Sequence, residues 1–172
     1  MIWIRGEQKE DITDIHSVNR LAFGQDNEAF LVQRIRDSSG FVPELSLVAI
    51  GNSQVVGHIL FSRIHIEMPK EDVAALSLAP MAVLPEFQRS GIGSQLVSIG
   101  LERCRGLGHS IVVVIGHPQY YPRFGFVPAR EMGLELNFSV PDEAFLVCEL
   151  SPDALRGIKG TVRYPPEFED MA

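Results

Sequence analysis

Val83-Leu84-Pro85-Glu86-Phe87-Gln88-Arg89-Ser90-Gly91-Ile92-Gly93 carries the chain out of an apolar segment, through a turn, and into an amphipathic one. Upstream, Val73 to Leu84 holds no charged residue, and a strand apolar on both faces belongs in the middle of a sheet covered on both sides. Downstream, Gly91 to Arg105 sets Val97, Leu101 and Cys104 on one helical stripe and stops at Gly106 and Gly108. A turn that opens a helix aims several unpaired N–H groups at one point, where the helix dipole also favours an anion. It is therefore suited to a phosphate or diphosphate. Gly91 and Gly93 would let a ligand come close to the backbone, with Arg89 adding charge from the rim. Taken alone, the same Gly-x-Gly also fits a tight strand-to-helix connection with no ligand.

Two other phosphate-binding readings lose ground. A dinucleotide fingerprint needs a third glycine three residues after Gly93, where Leu96 stands, and no Gly-Lys-Ser/Thr follows to make a nucleotide-triphosphate loop.

Working outward, Ile2 to Ile4 open the chain as a short strand. Ile12, Ile15, Val18, Leu21 and Ala22 then recur at helical spacing. A second helix, about Asn27 to Asp37, stops at Ser38-Ser39-Gly40. Leu45 to Ile50 and Val55 to Glu67 flank Gly51-Asn52-Ser53-Gln54, which predicts an antiparallel hairpin. Ile111 to Ile115 is a buried-type strand. Leu134 to Phe138 and Phe145 to Leu150 read as a closing pair of strands, and the tail from Ser151 as an irregular cover. The expected fold is α/β (α+β): a mixed, mainly antiparallel sheet of six to seven strands with helices on both faces. Pro80 within the central strand marks a local break in pairing, because proline cannot donate to a ladder.

Composition bounds the function. A chain of 172 residues suffices for one domain, expected as a core of about 1–150 with a C-terminal extension, 151–172. Fifteen Lys and Arg against 22 Asp and Glu give a formal charge of -7, which opposes nucleic-acid binding and leaves a cationic partner unrepelled. Cys104 and Cys148 form no CxxC pair, and His16, His65 and His109 have no ligand spacing, so no disulfide framework and no metal are expected. No apolar run approaches the roughly 20 residues of a membrane span, and the expected location is the cytoplasm.

Gln88, Gly91 and Gly93 resemble the Gln/Arg-x-x-Gly-x-Gly signature of the GNAT acetyltransferase superfamily. Tyr121-Pro122-Arg123-Phe124-Gly125-Phe126 is similar to the Tyr-x-x-x-Gly-Phe segment after the fifth strand in many of its members. Gly116 to Phe126 is similar to a broad bacterial-type branch, and the order of elements fits along the whole chain. The resemblance implies fourth and fifth strands that splay apart and a direct transfer of acetyl from acetyl-CoA, the co-substrate, to a primary amine of a small molecule, peptide or protein. It also implies that the backbone of Met81, Ala82 and Val83 pairs with the pantetheine arm. The diphosphate would rest on Gln88, Arg89, Ser90, Gly91, Ile92, Gly93 and Ser94. A non-catalytic acetyl-CoA-binding module or partner subunit is the alternative, and the protein is expected as a monomer or homodimer.

Acyl transfer from a thioester needs a neutral amine, a donor to the developing oxyanion and a proton for the leaving thiolate. The Val83 N–H suits the second role and the Tyr121 phenol the third, with Tyr120 its rival. Many relatives carry a base on the fourth strand, but Val73 to Leu84 has no ionisable side chain. Glu44, His117, His58 and ordered water remain as candidates, each with a plain structural explanation of its own.

Overall fold

The computed structural model describes residues 1–171. The elements run β1 (Ile2–Gly6), α1 (Ile12–Phe23), α2 (Asn27–Arg36), β2 (Phe41–Gly51), β3 (Gln54–Glu67), β4 (Val73–Val83), α3 (Ile92–Gly106), β5 (Ile111–Ile115), β6 (Val127–Pro128), β7 (Leu134–Leu136), β8 (Phe145–Glu149) and β9 (Gly160–Arg163). They form the mixed α/β sheet that the sequence leads one to expect, with nine strands among the described residues. The two strands beyond expectation are β6, only two residues long, and β9, which lies in the tail.

The β2–β3 hairpin turns at Asn52 and Ser53, with φ of 52° and 62°, so both central residues take the left-handed conformation that a two-residue hairpin loop favours. Successive side chains of a strand point to opposite faces. On β3, Gly57 meets Leu96 and Ile92 of α3, whereas His58 bonds Asn19 of α1. The helices therefore clothe both sides of the sheet. None of those described is long and apolar enough to cross a membrane.

One detail shapes the site. β4 runs parallel to β5 but pairs with it only at Leu76–Val112 and Ser77–Val113. Beyond Ser77, β4 keeps only β3 as its strand neighbour, while β5 stays paired with β8 on its other edge throughout its length. On the β3 side the partners step from Ile59–Met81 to Phe61–Leu78, so Ala79 and Pro80 together oppose Leu60 as a bulge. The break expected at Pro80 falls there.

The closing pair of strands is arranged differently from expectation. β7 does not pair with β8: it runs parallel to β9, while β8 lies antiparallel to β5 and β6. The reason is the length of β3. Its partner β2 reaches only Ser62, leaving His65 to Glu67 with an open edge, and β9 fills that edge from the tail. An unpaired row of backbone groups is costly to leave bare, so the tail is drafted into the sheet rather than lying over it as an irregular cover.

Candidate active site

The parting of β4 and β5 opens a cleft of about 970 Å³. One wall is β4 from Leu78 to Val83, the other is Val114 to His117 with Tyr120 and Tyr121, and the turn before α3 closes one end.

That turn leaves a run of backbone amides without a protein acceptor among the described residues. Arg89 and Gly91 have φ of 62° and 87°, and no atom lies within 4 Å of the position a Gly91 β-carbon would take. Glycine is thus required at 91 by conformation and not by crowding. The first helical bond of α3 is Gln95 N–H to Gly91 O, at 3.1 Å. Upstream of it, the N–H groups of Arg89, Ser90, Gly91, Ile92, Gly93 and Ser94 find no acceptor among the described residues. Successive free amides around left-handed residues are the kind of backbone that can form an anion nest, and a helix dipole adds to such a site. Gln88 braces the turn, its side-chain amide donating to Val83 O at 2.9 Å. Arg89 is exposed and has no ion-pair partner among the described residues.

Of the residues singled out in the sequence, Met81, Val83, Gln88, Arg89, Gly91, Ile92, Gly93, Ser94, Tyr120 and Tyr121 all line this one cleft. Of those named for the cofactor, two do not line it: Ala82, named for its backbone, is buried with its side chain alternating away from the cleft, and the Ser90 hydroxyl turns back to donate to Phe87 O. The open approach expected at Gly93 is partly taken, since a β-carbon there would lie 3.2 Å from Met81 Cε and 3.3 Å from the Tyr120 hydroxyl.

The two tyrosines differ in setting. Tyr120 holds its hydroxyl 3.1 Å from Ser94 Oγ, and the Arg123 guanidinium sits 4.6 Å over its ring. Tyr121 is only 7% exposed and packs edge-on against Tyr120 and Phe126, with ring centroids 5.1 and 5.6 Å apart. Burial pushes its phenol up to about 12, the nearby Tyr120 adding to the effect. It keeps its proton throughout the physiological range.

The three side chains considered as base are scattered. Glu44 is exposed and does not line the cleft, and His117 is exposed on its wall. His58 is fully buried on the α1 side. Its Nδ1 accepts from Asn19 Nδ2 at 3.2 Å, because that amide also donates to Ile15 O; Nε2–H then donates to Ser46 Oγ at 3.0 Å, and Ser46 donates to Glu7. Glu7 is held in turn by two bonds from Arg36. Desolvation, followed by the Arg36 charge, pushes the imidazole down to about 3, so it is a neutral structural link.

Sequence reasoning missed Glu28. Its carboxylate, 8% exposed, lines the cleft beside Leu31. In the sequence it is an acid in the first turn of a helix, a common place for one, and nothing local tells which way that turn faces.

A strongly bulged central strand parted from its parallel neighbour, with an anion nest at the mouth of the gap, defines an acetyltransferase-type sheet. Residues 4–129 match the family model described as an acetyltransferase (GNAT) domain, and the chain belongs to that family. It is 40% identical over 136 residues to YjhQ of Escherichia coli K12, named an uncharacterized N-acetyltransferase, covering 78% of this chain and 75% of that one. It is 36% identical to YhbS of the same strain, likewise named an uncharacterized N-acetyltransferase, over 96% of this chain and 97% of the relative. The crystal structure of E. coli YhbS in complex with CoA superposes with a TM-score of 0.90 at 34% identity, covering 97% and 91% of the two chains. A GNAT family acetyltransferase from Brucella melitensis in complex with acetyl-CoA superposes with a TM-score of 0.80 at 30% identity, covering 98% and 99%.

Proposed function

We propose that this chain moves an acetyl group from acetyl-CoA directly to a primary amine, the diphosphate resting on the Gln88–Ser94 turn and the pantetheine arm lying along Met81–Val83. The observation that carries this reading is the run of six free amides at the mouth of a gap with an unzipped strand edge inside it. The nest suits a diphosphate, and the open edge of β4 suits the amide groups of an extended arm, which pair with a strand as another strand would. Relatives of similar sequence and fold, crystallised with CoA and acetyl-CoA, support the same cofactor here.

In the reaction, the lone pair of a neutral amine attacks the thioester carbon, the C–N bond forms and the C–S bond breaks. The Val83 N–H meets the charge that develops on the carbonyl oxygen. The Tyr121 hydroxyl gives its proton to the departing thiolate and recovers one from the nitrogen that has become an amide, so the proton count closes. Burial of Tyr121 fits that duty, since the group must be protonated when the thiolate leaves.

On this reading residues 1–172 work as a single catalytic domain in the cytoplasm, as a monomer or homodimer, on an amine and not on nucleic acid. The charge of -7 and two buried free cysteines are in keeping with it.

Thermal-shift measurements with acetyl-CoA, CoA, ATP and NAD test the assignment. A ligand at 100 times its dissociation constant adds roughly 2.7 kcal/mol, and acetyl-CoA and CoA are expected to do so. Stabilisation by ATP alone would overturn the reading. Binding of acetyl-CoA without thiol release across a broad amine panel would make the chain a binding module.

A further inference from the structure

Off the cleft opens a second hollow of about 450 Å³. Leu31, Leu78, Ala79 and Ile115 line both, so the two are continuous where β4 and β5 part. Its far side is aromatic. Phe138 meets Tyr164 edge-on at 5.8 Å, and Tyr164 meets Phe168 in the same manner at 5.0 Å. The tail is pinned over it by Arg34 of α2, whose Nε donates to Glu167 O at 3.1 Å.

Glu28 stands one helical turn before Leu31, on the same side of α2 as the join between cleft and hollow. Its two oxygens accept from the Gln25 amide at 3.0 and 3.2 Å, and no Lys, Arg or His among the described residues lies within ion-pair distance. A carboxylate 8% exposed, held by a neutral amide and the N-terminal dipole of α2, has no full counter-charge among the described residues. It faces open space, so a ligand can supply that charge. Glu169, exposed on the rim of the hollow, adds a second negative group and disfavours an anionic ligand.

Resting on the acetyl-transfer reading, we propose that the acceptor is a small primary amine on an aryl body, its ammonium received by Glu28 and its ring held in the hollow bounded by Phe138, Tyr164 and Phe168. The size of the hollow suits a single ring with a short arm. Aromatic walls in edge-to-face array reward another ring over a hydroxylated chain. The arm then runs from the ring, past Leu31 and Leu78, to the gap where the thioester would lie, and the ammonium releases one proton to solvent before the neutral amine attacks.

Calorimetric titration with phenethylamine and ethanolamine, each with and without saturating CoA, tests this independently of turnover. Phenethylamine is expected to bind at least tenfold more tightly than ethanolamine. Glu28→Gln, which preserves shape and can still bond Gln25, is expected to weaken phenethylamine at least tenfold with CoA affinity unchanged. Equal binding of the two amines, or an unaltered Glu28→Gln, overturns the proposal. If Glu28→Gln also loses CoA, Phe138→Ala decides: it must weaken phenethylamine at least fivefold and leave ethanolamine as it was, and no change overturns the assignment. Tight, Glu28-dependent phenethylamine binding without thiol release from acetyl-CoA would instead sink acetyl transfer and leave the amine site standing.

Discussion

A β-carbon on Gly116 would lie 2.5 Å from Cε2 of Tyr121, so the buried phenol packs where only a glycine leaves room. Gly116 ends the wall that β5 begins, and Tyr121 opens the turn that follows. The position of the Tyr121 hydroxyl, the proposed proton donor, is thus set by the backbone that follows β5.

Gly116→Ala must push the Tyr121 ring aside, since the contact is with the body of a buried ring and not with a free chain end. Steady-state assays should show kcat lowered at least tenfold, with the acetyl-CoA dissociation constant within about threefold of wild type. Overpacking also costs about 1–3 kcal/mol of stability, which a denaturant melt will report.

Tyr121→Phe removes the hydroxyl and keeps the packing against Tyr120 and Phe126. Losing a positioned proton donor typically costs about 10² to 10⁴ in rate. Turnover should fall into that range while CoA binding holds. Unchanged turnover would remove Tyr121 from the mechanism.

Gly91→Ala meets no neighbour but must adopt φ near 87°. The strain is worth about 1–2 kcal/mol, seen as lowered stability. If the turn relaxes to relieve it, the nest opens. Acetyl-CoA affinity should then drop at least fivefold, whereas amine binding should not change.

His58 makes stability fall in acid. Its folded value, about 3, is below the unfolded value near 6.5, so the unfolded chain binds the extra proton between those limits. The contribution is fully present above pH 6.5 and is lost as pH falls towards 3, by at most about 1.4 kcal/mol per pH unit, the limit for one proton. Urea melts from pH 7 to 4 should show a shallower decline for His58→Gln than for wild type, from a lower starting stability. Parallel slopes would mean that the imidazole is not held neutral.

The sheet, the helices and the nest were legible in the sequence because each rests on local pattern. Period-3.6 stripes mark α1 and α3, an uncharged run marks β4, and glycines mark the turn after it. The pairing of β7 was not, because it depends on how far β3 outruns β2, a difference set by distant residues. The Ala82 side chain faces away from the cleft because it alternates with those of Met81 and Val83, which leaves the expectation for its backbone untouched. Glu28 was missed because its meaning comes from what α2 faces, and the hollow beside it is closed by Tyr164 and Phe168 from the far end of the chain.

Amide hydrogen exchange with and without acetyl-CoA tests the central claim most directly. The six free N–H groups from Arg89 to Ser94 have no acceptor of their own, so they should exchange rapidly in the free protein and become strongly protected once acetyl-CoA binds. Saturation with acetyl-CoA that leaves those six amides as fast as before, with protection arising elsewhere, would contradict it.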